Sequence, residues 1–251
     1  MKRIKNVLIF FLAMVMLGAC RDKKSEKKEE ENIQQENTFV NPLKTEGAQC
    51  WANYYDGWYY YMQEAVDRLE LWRTRDITDL EHAEHKVIWI PKDPSNAHHL
   101  WGPEIHPIAG KWYVYYAASD DNMDNHQLFV LENSSADPFE GEFELKGRIS
   151  TDKNNNWAIH PNVFEHRGEW YYIWAEKTGV GRQISNLYIG KMAAANKLCT
   201  DQVLLTTPDY DWERVDFWVN EGPAILKHDG KIFLTFSASA TGACYCMGMM
   251  Y

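Results

Sequence analysis

Four stretches decide the fold: GAQCWANYYDGWYYYM (47–62), GPEIHPIAGKWYVYYAAS (102–119), HPNVFEHRGEWYYIWAEK (160–177) and EGPAILKHDGKIFLTFSAS (221–239). Each reads as an apolar run, a tight turn containing Gly, and an aromatic-rich run. The turn glycines Gly57, Gly110, Gly168 and Gly230 are separated by 53, 58 and 62 residues. Self-similarity at such a period marks a repeat architecture. Asp56-Gly57, Ala109-Gly110, Arg167-Gly168 and Asp229-Gly230 suit two-residue hairpins, and β-branched and aromatic residues flank them. Further strand-like pieces lie between the repeats, at Arg68–Trp72, Gln127–Leu131 and Asn186–Gly190. About four strands per repeat predicts an all-β propeller with about four blades in this chain. A β-sandwich would not repeat at this interval, and no long amphipathic helix is present.

The innermost strand of each blade starts beside the propeller axis. Counting back eight or nine residues from each turn glycine reaches Gln49, Gly102, His160 and Glu221, with Glu104 close by. The polar members of this set, far apart in sequence, are expected to converge on one funnel.

The N-terminus sets an address. Lys2, Arg3 and Lys5 precede an apolar run from Val7 to Leu17, the length of a signal-peptide core and too short to span a bilayer. It ends in Leu17-Gly18-Ala19-Cys20, which resembles the lipobox of bacterial lipoproteins. Residues 1–20 are therefore expected to be a signal peptide with Cys20 lipidated. Residues 21–37 are Lys/Glu-rich and read as a solvated tether, and residues 38–251 as the folded domain, held at the cell envelope by the lipid.

The formal charge is -10, and about -13 once the three n-region cations are removed, which argues against nucleic acid as a partner. Eleven Trp and an aromatic share of 14% suit sugar stacking as well as a β-rich core. With Cys20 set aside, Cys50, Cys199, Cys244 and Cys246 show neither a CxxC pair nor a zinc spacing and read as buried free thiols. Cys244 and Cys246, two apart in an apparent strand, are expected to point to the same face. His98, His99 and His106 lack a carboxylate that would complete a metal-ligand spacing, so no metal or other cofactor is expected. Asp120 to Asn125 lacks the glycine and terminal glutamate of a calcium loop and reads as a polar loop.

The same funnel residues, together with Trp101 to His106, Phe129 to Phe143, Trp157 to Phe164 and Val219 to Pro223, resemble glycoside hydrolase family 43. The resemblance extends through Ser237 to Met249 and so covers nearly all of the chain after the tether. It implies a five-bladed propeller acting by inversion on arabinose- or xylose-containing glycans. An inverting enzyme needs one carboxylic acid to protonate the leaving oxygen and one carboxylate to activate water. The resemblance places the acid at Glu221, in the setting Asn220-Glu221-Gly222-Pro223. It places Gln49 where the family has its base Asp, and His160 where it has the Asp that tunes the acid.

A neutral amide cannot take a proton at ordinary pH, so Gln49 can orient water but not deprotonate it. His160 has the intrinsic basicity for the task. Its inherited position is nearer the acid, however, and a protonated ring there would lower the pKa of Glu221. Glu104, His106, Trp51, Trp101, Trp157 and Asn220 are the expected substrate-binding residues. The resemblance also implies a fifth blade, whereas this sequence stops at Tyr251, in or just after the fourth; a chain shortened by frameshift, early stop or incomplete gene is the expectation. Three readings follow: a glycosidase with Glu221 as acid and an altered base, a cell-surface propeller that binds glycans without catalysis, or a truncated inactive product.

Overall fold

The structure, a computed structural model, describes residues 38–151, 156–177 and 185–251. The expected signal peptide, Cys20 and the tether all lie outside the described residues. Residues 38–43 carry no helix or strand, and residues 44–251 form one compact unit.

Among the described residues that unit holds four antiparallel sheets, one for each sequence repeat. The first is a meander of β1 (Trp51–Tyr55), β2 (Trp58–Met62), β3 (Leu69–Thr74) and β4 (Glu84–Trp89). The second comprises β5 (His98–Ile108), β6 (Lys111–Ser119), β7 (Gln127–Asn133) and β8 (Glu144–Ile149). The third comprises β9 (Ala158–His166), β10 (Glu169–Lys177), β11 (Ser185–Ala194), β12 (Lys197–Leu198) and β13 (Val203–Thr206), with β11 pairing both short strands. The fourth has three strands, β14 (Asn220–His228), β15 (Lys231–Ala238) and β16 (Cys246–Met250). The innermost strands β1, β5, β9 and β14 pack in succession, β1 on β5, β5 on β9 and β9 on β14. All four turn glycines adopt φ between 72° and 80°, the left-handed region that their hairpins require.

The aromatic runs stack blade on blade. In β6, Trp112, Val114, Tyr116 and Ala118 enter the core between the first and second blades, while Tyr113, Tyr115 and Ala117 enter the core shared by the second, third and fourth. Both faces of this strand are buried, which explains a run almost free of polar residues. In β15 only alternate residues, Leu234, Phe236 and Ala238, enter the shared core. On the other face of that blade Leu226, Met247, Met249 and Tyr251 are exposed.

Two expectations need correction. Cys244 lies in the turn ahead of β16 and Cys246 is the first residue of β16, so the two do not share a strand face. The four cysteines among the described residues are free thiols, but none is buried: Cys50 and Cys199 are exposed, and Cys244 and Cys246 are half-buried.

Candidate active site

One backbone feature recurs in all four blades. The residue eight positions before each turn glycine is Gln49, Gly102, His160 or Gly222, and its φ is 49°, 52°, 52° or 56°. The left-handed conformation folds the innermost strand at the axis and interrupts its pairing register, as between Trp101 and Glu104 and between Glu221 and Ala224. Two of these positions carry glycine, which adopts such φ freely; two carry a side chain, and strain of this kind clusters at functional sites. Gly102 has a second reason to be glycine. A Cβ there would lie 3.0 Å from His160 Cδ2 and 3.5 Å from Gln49 Oε1, in the space the two side chains use to meet.

Gln49, His160 and Glu221 form a line across the axis. The Gly222 N–H donates to His160 Nδ1 at 3.2 Å, which leaves the ring proton on Nε2. That Nε2–H donates to Gln49 Oε1 at 3.0 Å. The amide NH₂ of Gln49 is thus what remains to face a ligand, and both ring nitrogens of His160 are engaged. Glu221 Oε2 lies 3.8 Å from His160 Nδ1, and the Tyr245 hydroxyl donates to Glu221 Oε1 at 3.4 Å.

Burial sets the protonation states here. It pushes Glu221 up to about 7, the Tyr245 hydroxyl pulling weakly the other way. It brings His160 down to about 4, so the ring is uncharged near neutral pH. The expected lowering of the Glu221 pKa by a protonated imidazole therefore does not operate. Nor is His160 free to act as a base, because its one unprotonated nitrogen already accepts the Gly222 N–H.

A second carboxyl, Glu104, sits in the wall nearby. Asn162 Nδ2 donates to both of its oxygens at 3.2 and 3.0 Å, and His106 Nε2 lies 2.9 Å from Oε2. Burial holds Glu104 well above the carboxylate range and His106 down to about 3. Trp51 covers this pair, its ring 5.1 Å from that of His106 and its Nε1–H donating to the Ile105 carbonyl at 3.2 Å.

Two cavities lie beside these residues, and Glu221 lines only the larger. One, of about 210 Å³, is lined by Gln49, Trp51, Glu104, His160, Ser237 and Tyr245, among others. The other, of about 330 Å³, is walled by Trp101, Trp157, Phe217, Lys177 and Glu221 itself. Aromatic walls with a few polar groups are the usual lining of ligand cavities.

The structure thus brings Gln49, Glu104, His160 and Trp51 to the wall of the smaller cavity, and Glu221, Trp101 and Trp157 to that of the larger. Two expected ligand contacts are placed elsewhere. Asn220 is fully buried: its Nδ2 donates to Glu213 Oε1 at 3.1 Å, and its Oδ1 accepts from Thr206 at 3.3 Å. Neighbours on a strand face opposite ways, so the side chain next to Glu221 anchors the connection to blade four. His106 is buried behind Glu104 and supports it from the far side. The expected polar loop is one, with the Asp120 carboxylate accepting from Asn122 N and Asn125 Nδ2. Among the described residues no group of three or more His, Cys, Asp and Glu side chains is placed to hold a metal ion.

The sequence reading missed two residues. Tyr245 comes from the turn between β15 and β16, and no pattern in that stretch signals its reach to Glu221. His126, at the end of the polar loop, carries no motif either.

The fold and site define a β-propeller with a carboxyl of raised pKa at its axis, beside aromatic-walled cavities. The profile of the glycosyl hydrolases of family 43 matches residues 28–251, and the chain belongs to that family. It is 41% identical over 216 residues to an extracellular exo-α-(1→5)-L-arabinofuranosidase of Streptomyces chartreusis, covering 84% of this chain and 66% of that one. An enzyme of the same description from Streptomyces avermitilis is 37% identical over 219 residues, covering 85% of this chain and 45% of that one. The chain thus spans less than two thirds of the length of either relative. The crystal structure of an α-L-arabinofuranosidase from Lactobacillus brevis superposes with a TM-score of 0.78 at 38% identity, covering 84% of this chain and 69% of that one.

Proposed function

We propose that this protein hydrolyses arabinose-type glycosides, with Glu221 protonating the leaving oxygen. The observation that carries the proposal is the state of that carboxyl, pushed up to about 7 by burial yet bordering a cavity. A general acid works best with a pKa near the operating pH. Family membership and the arabinofuranosidase names of the relatives supply the substrate class. Gln49, held by His160, orients the attacking water without taking its proton. General acid–base assistance is worth about 10²–10⁴-fold, so loss of the base slows an inverting reaction without abolishing it.

One observation favours a second reading, in which the propeller holds glycans at the cell surface without turning them over. Gln49 presents an amide donor where inversion needs an acceptor, and the imidazole behind it has no free nitrogen.

Incubation with α-(1→5)-linked arabinotriose and with 4-nitrophenyl arabinofuranoside separates the two. Release of arabinose from arabinotriose by the parent, cut about 10²-fold or more in Glu221→Gln, supports the hydrolase. Binding without release favours the second reading, and neither binding nor release contradicts both.

The same proposal places the protein outside the cytoplasm, anchored through Cys20 with residues 21–37 as tether, in keeping with relatives named as extracellular. Replacement of Cys20 by Ser should abolish lipid labelling and release the protein from membranes. Unchanged membrane partitioning contradicts the anchor.

A further inference from the structure

Behind the larger cavity lies His126, a fully buried residue that the chemistry at Glu221 does not use. Its ring stacks on Trp101 with centroids 4.1 Å apart and planes 23° apart. Trp157 stands edge-on at 6.2 Å. Both tryptophans are walls of the cavity into which Glu221 projects. Both ring nitrogens of His126 lie within hydrogen-bond distance of backbone carbonyls, Nδ1 at 2.7 Å from Met123 O and Nε2 at 3.0 Å from His99 O. The Met123 carbonyl also accepts the Trp157 Nε1–H at 2.9 Å.

One imidazole therefore links three things that shape the cavity. It backs the face of Trp101. Burial keeps the ring uncharged, so it donates to one of the two carbonyls and packs against the other. It thereby touches both the loop carbonyl on which Trp157 hangs and the His99 carbonyl, two residues ahead of Trp101. Stacking recognition of a sugar depends on the tilt and spacing of the rings that receive it, and those rings are set from behind by a side chain that no ligand can touch.

We infer that His126 is a positioning residue for glycan recognition: through Trp101 and Trp157 it sets the walls that receive the sugar ring next to the bond Glu221 protonates. This rests on the glycan reading above. A merely space-filling histidine would be replaceable by another flat ring. A positioning one would not, because phenylalanine keeps the stack on Trp101 and loses both carbonyl contacts.

The test uses the full chain in a Glu221→Gln background, so that the ligand survives. Binding of α-(1→5)-linked arabinotriose is followed by calorimetry and by tryptophan fluorescence, with circular dichroism as the check on folding. His126→Phe is expected to weaken binding on the order of ten- to a hundredfold, the scale of an ångström-level misplacement, with the far-ultraviolet spectrum unchanged. Trp157→Phe, which keeps a ring and drops the bond to Met123 O, is expected to weaken it by a smaller factor in the same direction. In the Glu221-containing chain, His126→Phe should raise KM for arabinotriose and leave the alkaline limb of the pH profile in place; a general disturbance of the site would move that limb.

Equal affinity of background and His126→Phe overturns the inference while leaving the glycan reading intact. If His126→Phe does not fold, equal affinity of background and Trp157→Phe overturns it instead. A background chain that binds no arabinotriose removes the glycan reading itself, and the inference with it.

Discussion

Glu104 lines the smaller of the two cavities and Glu221 the larger, and burial raises the pKa of both. They differ in what holds them. Glu104 takes two bonds from Asn162 and faces His106 at 2.9 Å, whose ring in turn packs against Trp51. Glu221 has a single 3.4 Å contact with Tyr245 and a neutral ring at 3.8 Å. Desolvation alone makes a carboxyl acidic late; freedom from partners is what lets its proton leave. The first carboxyl is built into the wall, and the second is available for chemistry.

Substitutions should separate the two. The largest effect is expected from Glu221→Gln, which should reduce hydrolysis of arabinotriose by about 10²-fold or more, the usual range for loss of a general acid. The reduction should be smaller on 4-nitrophenyl arabinofuranoside, whose leaving group needs no proton. Equal losses on both substrates would point to binding rather than proton donation.

Glu104→Ala should act mainly on folding. It strands the Asn162 amide and the His106 ring in a buried wall, at a cost of about 2–3 kcal/mol, or roughly 5–10 °C in Tm for a domain of this size. An unchanged Tm would show that Glu104 is not the structural member of the pair.

Glu221→Gln should also alter stability, in the opposite sense and only at high pH. The folded-state pKa of Glu221 is raised from 4.5 to about 7. Both folded and unfolded chains are protonated below about pH 4.5, and stability is lost as pH rises from there through 7. The neutral amide escapes that loss, so the variant should be more stable than the parent at pH 8, by on the order of 2–3 kcal/mol at about 1.4 kcal/mol per pH unit, and the two should match near pH 4. Denaturant unfolding at the two pH values checks this.

The smallest effect belongs to Tyr245→Phe. Its hydroxyl is the bond that holds the Glu221 pKa down, so its loss should move the alkaline limb of activity to higher pH while leaving the maximal rate close to that of the parent.

Much of this contrast was legible in the sequence, for identifiable reasons. The period of the turn glycines fixed which residues reach the axis, because a hairpin of constant length puts the same position at the centre of every blade. Gln49, Gly102 and His160 fell out of that count directly. The count blurred by one residue in blade four, where Gly222 takes the left-handed position and Glu221 precedes it. What the count could not resolve was the direction each side chain faces. Asn220 adjoins Glu221 in sequence, yet neighbours on a strand point to opposite sides. His106 stands buried behind Glu104, which the spacing of the two residues does not show. Tyr245 and His126 arrive from loops, and only tertiary packing decides what a loop residue reaches. The charge states were equally hidden, since a histidine at position 160 reads as a cation near an acid until its burial is known.

The central claim is that Glu221 donates the proton, and the pH dependence of kcat/KM on arabinotriose tests it most directly. With the folded pKa near 7, activity should be sustained at pH 5–6, fall with a single ionisation through about pH 7, and be nearly gone by pH 9. The limb should disappear in the residual activity of Glu221→Gln. A parent whose activity stays level to pH 9, or a Glu221→Gln variant that keeps the same limb, would contradict the account.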